Sequence, residues 1–291
     1  MSDMYRIAIL GCENSHADAF ISLVREGRYP DVEIAGVFTE YPDAADRMME
    51  KFGIENASSA DAFLGSVDGV MVTARHGGKH LEYLRPYIEA GLPVFVDKPV
   101  TASVPDAEEL AALIRAHGVR FSGGSSCIHA SEIRELCNIR SSSDRIRGGN
   151  LRAPVSMKND YGNVWFYSQH LVQMMQELFG YYPVSVRAAA REDAVVAVFR
   201  YPDFDVTASL LDGSYAYSAE IYTDSGAEYR TVAVDSSLYA LEMDDYYRVL
   251  TGGESRFSLS DLTAPVYAID ALIRAVESGL EEPVGRLAEE L

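Results

Sequence analysis

The sequence predicts an α/β chain of two parts. A Rossmann-type doubly wound parallel sheet comes first, followed by an α+β domain with a mostly antiparallel sheet. Three observations carry this. Short apolar runs alternate with helix-patterned segments up to about residue 124, the first run closes on a glycine, and from about Val184 the β-patterned runs follow one another directly. The expected boundaries are 1–124 for the dinucleotide-binding domain and 125–291 for the substrate and oligomerisation domain, with the C-terminal helix free to pack back on the first.

Arg6-Ile7-Ala8-Ile9-Leu10 is an apolar run ended by Gly11, and Ala17 to Arg25 then repeats apolar residues at helical spacing. Val32 to Phe38 is a second strand, and Pro42 with the acids after it starts a second helix. Gly69 to Thr73, Pro93 to Val96 and Val119 to Ser122 are further strands, separated by helices over Lys79 to Ala90 and from Ser103 to His117. Parallel pairing with right-handed crossovers follows from this alternation. Past Gly123-Gly124, His129 to Arg140 reads as a helix, and Ser141 through Gly149 as a polar, turn-rich break. Val184–Ala190, Ala194–Tyr201, Asp205–Leu211, Tyr215–Thr223 and Tyr229–Val234 read as strands, and 258–278 as a helix capped by Ser260-Asp261.

Composition bounds the function. With 48% hydrophobic and 24% charged residues the chain is an ordinary globular protein rather than a disordered one. A net charge of -19 repels phosphate backbones and argues against nucleic acid as a partner. No apolar run approaches the roughly 18 residues of a membrane span, and the first residues lack a signal-peptide pattern, so no membrane partner and a cytoplasmic location are expected. Three cysteines, Cys12, Cys127 and Cys137, suit a reducing compartment.

Ligands of doubly wound sheets bind outside the carboxyl ends of the strands. The first such turn reads Gly11-Cys12-Glu13-Asn14-Ser15-His16. Gly11 fits the first glycine of a dinucleotide fingerprint, whereas Glu13 and His16 take the places of the second and third. A side chain at 13 would crowd a pyrophosphate and its charge would repel it, while Asn14 and Ser15 can cap the helix and bind phosphate oxygens. After the second strand come Thr39 and Glu40, the acid standing one place beyond the position of a ribose-reading carboxylate; if it reaches the ribose, NAD is favoured over NADP. A metal-assisted alternative draws on Cys12, His16, His76 and His80, which follow strands expected to be neighbours. A non-catalytic nucleotide or small-molecule binding protein of the same fold is the other alternative.

With Asp97-Lys98-Pro99 after the strand that begins at Pro93, the chain resembles the Gfo/Idh/MocA family of NAD(P)-dependent sugar and polyol oxidoreductases. Supporting stretches are Val37 to Gly53, Val67 to Pro99, Ser168-Gln169-His170 through Gly180, and Ala271 to Val284. The resemblance implies hydride transfer between a nicotinamide cofactor and a hydroxyl or keto group of a sugar, polyol or related small molecule. It makes Lys98 the residue touching nicotinamide ribose and substrate hydroxyl, and His170 the acid/base. It adds Ala74, Arg75, His80 and Asp97 to the cofactor positions, and a homo-oligomer, dimer or tetramer, to the expectations. Departures from the pattern are Phe166 where an aspartate is usual and Gln173 where an acid is usual. Tyr167 stands where it can replace the lost polar group.

Overall fold

The computed structural model describes residues 4–288. The first strands and helices follow in strict alternation: β1 (Tyr5–Leu10), α1 (Ser15–Arg25), β2 (Val32–Phe38), α2 (Pro42–Phe52), β3 (Gly69–Val72), α3 (His80–Glu89), β4 (Val94–Asp97), α4 (Val104–His117) and β5 (Phe121–Gly124). They are followed by α5 (Ser131–Ser142), β6 (Ile146–Val155), α6 (Trp165–Phe179), β7 (Ser185–Arg191), β8 (Ala194–Arg200), β9 (Asp205–Asp212), β10 (Tyr217–Thr223) and β11 (Gly226–Val232). The last elements are α7 (Ser237–Leu250), α8 (Leu259–Ser278) and β12 (Glu282–Pro283). Backbone packing groups them into two units. One runs through Thr101, resumes at Pro105–Gly124 and takes in Tyr239–Ser258; the other holds Ala102–Val104, Ser125–Leu238 and the chain from Leu259.

In the first unit β2-β1-β3-β4-β5 pair in that order, every pair parallel. The strands are continuous apolar runs because both faces are covered, as Ile7 to Leu10, Val70 to Val72 and Val94 to Val96 are buried throughout. Strand order reverses between β1 and β3, which sets a crevice at the ends of those two strands. Helix α2 starts with proline in its first turn and closes on Gly53 at φ 63°, the left-handed cap that glycine adopts without a Cβ clash.

In the second unit the order is β11-β10-β6-β9-β8-β7-β12, antiparallel except for β6 beside β9. One core gathers Leu151, Leu171, Met175, Phe199 and Leu272, drawn from the sheet, α6 and α8. Strand β8 alternates inward Val195, Ala197 and Phe199 with outward Val196 (52% exposed) and Val198 (37%).

The structure differs from the sequence pattern at three places. The polar break does not extend to Gly149, because β6 begins at Ile146 and lies inside the second sheet. Its glycines serve close approach rather than a turn: a Cβ on Gly149 would lie 2.2 Å from the Phe179 ring, and one on Gly148 would lie 2.5 Å from the Asp205 carbonyl oxygen. Helix α7 was not anticipated between the last strand and α8. It buries Met243, Tyr246 and Leu250 in the core of the first unit. The helix expected from His129 starts at Ser131, after a short helical turn over Ser126–His129.

Candidate active site

The turn after β1 is shaped by one glycine. Gly11 has φ 85°, and a Cβ there would stand 2.4 Å from the backbone of Ala74, so only glycine fits between the ends of β1 and β3. Asn14 is buried and engaged at both ends: its Oδ1 accepts from the N–H groups of His16 (3.0 Å) and Ala17 (3.4 Å), and its Nδ2 donates to the Thr73 carbonyl (2.6 Å). It is therefore the cap of α1, and the exposed Ser15 is the hydroxyl left at the helix start. Arg47 of α2, which the sequence reading passed over, donates to the carbonyls of Cys12 and Asn14 and pairs with Asp18 at 3.3 Å.

Glu13 turns toward the ends of β2 and β3. Its carboxylate accepts from the Arg75 N–H at 2.7 Å and the Thr39 hydroxyl at 3.4 Å. Burial raises its pKa, and those two donors work against the rise. Thr39 is fixed further by its N–H to Asn56 Oδ1 at 2.8 Å. Glu40 instead lies at the surface and pairs with Lys79 at 3.3 Å. His80 is fully buried, its ring nitrogens 2.8 Å from the Ala74 carbonyl and 3.3 Å from that of Val100; burial lowers its pKa. Its side chain thus ties the segments after β3 and β4 together.

Lys98 and Asp97 are both buried at the end of β4, and the Lys98 N–H donates to Asp97 Oδ1 at 2.7 Å. The peptide between Lys98 and Pro99 is cis. His16 of α1 brings Nδ1 to 2.7 Å from Asp97 Oδ2. Burial alone would raise the Asp97 pKa, but His16 and then Lys98 pull it below the usual carboxylate value. Tyr239 of α7 packs its ring 4.6 Å from that of His16. One turn further along α7, Glu242 is 3% exposed, and neither carboxyl oxygen has a hydrogen-bond partner among the described residues. Burial pushes its pKa well up, the charge of Asp97 pushes it further, and Lys98 opposes the rise. Glu242 escaped the sequence reading because the helix that carries it did.

The four side chains of the metal-assisted alternative do not converge. Cys12 Sγ faces the carbonyls of Ile9 and Phe38, and burial pushes its thiol pKa up. His16 faces Asp97, His76 Nδ1 accepts from the Gly78 N–H at 3.0 Å, and His80 lies between two carbonyls. Among the described residues no three His, Cys, Asp or Glu side chains are grouped to hold a metal ion. The reason is local: each donor is drawn to a nearby backbone or acidic partner before it can reach its neighbour.

In the second unit, His170 lies on the buried helix α6, itself 5% exposed. Its Nδ1 is 2.6 Å from Ser125 Oγ and 3.3 Å from Cys127 Sγ. Ser125 is held in turn, its Oγ accepting from the Cys127 N–H at 3.2 Å and its own N–H donating to Gln173 Oε1 at 2.8 Å. Gln169 donates to the same Gln173 oxygen at 3.1 Å. The Tyr167 ring centroid is 5.9 Å from that of His170, with Phe166 at 4.6 Å from Tyr167 and Tyr217 at 6.2 Å from His170. Gln173, where an acid is usual, is thus part of this neutral network. Ser125 and Cys127 follow β5 and lie far from His170 in sequence, and no local spacing announced them.

Comparison with known proteins bears on this geometry. Residues 5–125 match the model of the Gfo/Idh/MocA oxidoreductase family, described as having an NAD-binding Rossmann fold. Residues 5–125 are a Gfo/Idh/MocA domain. It is the kind of domain that binds NAD. A curated relative, dTDP-3,4-didehydro-2,6-dideoxy-alpha-D-glucose 3-reductase of Actinomadura kijaniata, is 28% identical over 137 residues. That match covers 46% of this chain and only 40% of the relative's length. Solved structures match over nearly the whole chain. Scyllo-inositol dehydrogenase of Lactobacillus casei with NAD(H) and scyllo-inositol has a TM-score of 0.82 at 14% identity, covering 97% of this chain and 99% of that one. The WlbA dehydrogenase of Bordetella pertussis, in complex with NADH and UDP-GlcNAcA, has a TM-score of 0.81 at 17% identity, covering 97% and 99%. At such identities the likeness is one of fold. It extends over both units. No helix among the described residues is long and apolar enough to cross a membrane.

The residues present fit a dinucleotide in two respects. Gly11 keeps the crevice between β1 and β3 open to backbone approach, and the N-terminus of α1 presents its dipole and the Ser15 hydroxyl there. Glu13 does not stand in that position as a bare obstacle, because its carboxylate is drawn sideways to Thr39 and Arg75.

Proposed function

We propose that the chain is an NAD-dependent dehydrogenase that moves a hydride between the cofactor and a hydroxyl or keto group of a sugar, polyol or related small molecule. The observation that carries this reading is Lys98: a lysine buried at the end of β4 beside an ionised Asp97, within a domain of an NAD-binding oxidoreductase family. A lysine without a task would not be kept in so dry a position, where desolvation disfavours its charge. The first unit is taken as the dinucleotide-binding domain and the second as the substrate and oligomerisation domain. NAD is preferred to NADP.

Bound NAD supplies the hydride acceptor and so the difficult electronic step. The chain's own residues then have two tasks. Lys98 polarises the substrate oxygen and stabilises charge that develops on it, a role that a cation in a water-poor site performs better than one in water. His170, anchored through Nδ1 by Ser125 and Cys127, exchanges the hydroxyl proton at Nε2 near neutral pH. Tyr167, packed beside that imidazole, offers an aromatic face and a hydroxyl to a polyol. Gly11, Ser15, Thr39, Ala74 and Arg75 line the cofactor end of the first unit. Outward Val196 and Val198 on β8 support a homo-oligomer, and three cysteines outside any disulfide support a cytoplasmic location.

Titration of the purified protein with NADH, followed by cofactor fluorescence, tests the reading. Saturable binding is expected. Absence of binding at millimolar NADH would favour a non-catalytic protein of this fold.

A further inference from the structure

The acid that would read an adenosine ribose in a doubly wound fold stands at the end of the second strand, and here that strand is followed by Thr39 and Glu40. Glu40 does not take that part. Its side chain lies outside, paired with Lys79. The carboxylate found at the ends of β2 and β3 belongs to Glu13, which arrives from the turn after β1 and touches a residue beyond each of the two strands, Thr39 and Arg75.

We propose that Glu13 is the ribose-reading and cofactor-discriminating residue of this chain: its carboxylate accepts a hydroxyl of the adenosine ribose of NAD and repels the 2′-phosphate of NADP. The assignment rests on the dehydrogenase reading and extends it. A carboxylate has about four acceptor positions. The Arg75 N–H at 2.7 Å, the Thr39 hydroxyl at 3.4 Å and Glu13's own N–H take three, which fixes the group in place and leaves a position for a ribose hydroxyl. A fixed, partly buried carboxylate discriminates more strongly than a mobile surface one, because its interactions are less screened by water. It also explains how a glutamate is tolerated at a fingerprint position usually held by glycine. The side chain leaves the pyrophosphate path at once and spends its charge one strand away. Thr39 belongs to the same device, since its hydroxyl donates to Glu13 and accepts from the Tyr41 N–H at 3.2 Å.

The test is direct binding, independent of any substrate. Dissociation constants for NADH and NADPH are measured by calorimetry or fluorescence on the wild-type protein, Glu13→Gln, Glu13→Gly and Glu40→Gln, with circular dichroism as the check on folding. Wild type is expected to prefer NADH by about tenfold or more, an amount within reach of one like-charge contact. Glu13→Gln should bring the ratio near unity, mainly by improved NADPH binding. Three results would overturn the proposal: an unchanged ratio in Glu13→Gln, loss of discrimination in Glu40→Gln instead, or a gain of both cofactors in Glu13→Gly, which would make the side chain a plug. If neither wild type nor any variant binds either cofactor, the dehydrogenase reading falls and takes this proposal with it. NADH binding with no discrimination overturns the Glu13 assignment alone.

Discussion

The end of β4 and the middle of α6 both bury a catalytic candidate, yet they do so by opposite means. Around Lys98 the neighbours are ionisable: Asp97, His16 and Glu242 are each less than a tenth exposed. Around His170 runs a hydrogen-bond network of neutral side chains, Ser125, Cys127, Gln169 and Gln173. The first arrangement holds a fixed charge in place by compensating it. The second fixes a ring by hydrogen bonds to a hydroxyl and a thiol. That is the division expected if Lys98 stays charged while His170 changes state during turnover.

The contrast can be broken most severely at Lys98. Lys98→Ala should lower turnover on an inositol or sugar substrate by about 10²–10³-fold while circular dichroism shows the fold retained, because it removes a charge that acts on the developing oxyanion. An unchanged rate would remove Lys98 from the chemistry. His170→Ala should cost about 10²-fold, the usual contribution of a positioned acid/base, and should abolish the neutral limb of the pH–rate profile. Ser125→Ala should cost less, about tenfold in kcat with KM little changed, since it frees the ring without deleting it.

Stability measurements sharpen the same contrast. Asp97→Asn removes the buried carboxylate that faces His16 and should cost about 3 kcal/mol in urea unfolding. The Asp97 pKa is depressed in the folded protein, so its contribution is present above the unfolded carboxylate pKa and lost as pH falls through the folded value. Glu242 has the reverse sign. Its folded pKa is raised, so its contribution is fully present below the unfolded pKa and declines as pH rises through the folded one. Glu242→Leu should therefore stabilise the protein at pH 7–8 by about 1 kcal/mol and lose that advantage near pH 4. Equal effects at both pH values would mean that Glu242 is not held neutral.

The same division governs what could be read from the chain beforehand. The parallel sheet was legible because β1, β3 and β4 are continuous apolar runs punctuated by Gly11, Gly69 and Pro93, and periodicity survives folding. Strand β6 was not, since Gly148 and Gly149 carry a turn signature that is overridden by the need for Phe179 and Asp205 to come close. Lys98 and His170 were visible as motif residues. Their partners were not: His16 reaches Asp97 across many residues, Ser125 reaches His170 likewise, and Glu242 depends on a helix hidden between polar residues. Glu13 looked like an obstacle because sequence gives a side chain's position but not its direction.

The roles of Lys98 and Glu13 are decided by a structure of the protein with NADH bound. The dinucleotide is expected in the crevice beyond β1 and β3, with Lys98 Nζ within hydrogen-bond distance of the nicotinamide ribose and the Glu13 carboxylate at the adenosine ribose. NADH bound elsewhere, or bound there with Lys98 turned away from it, would rule out these roles.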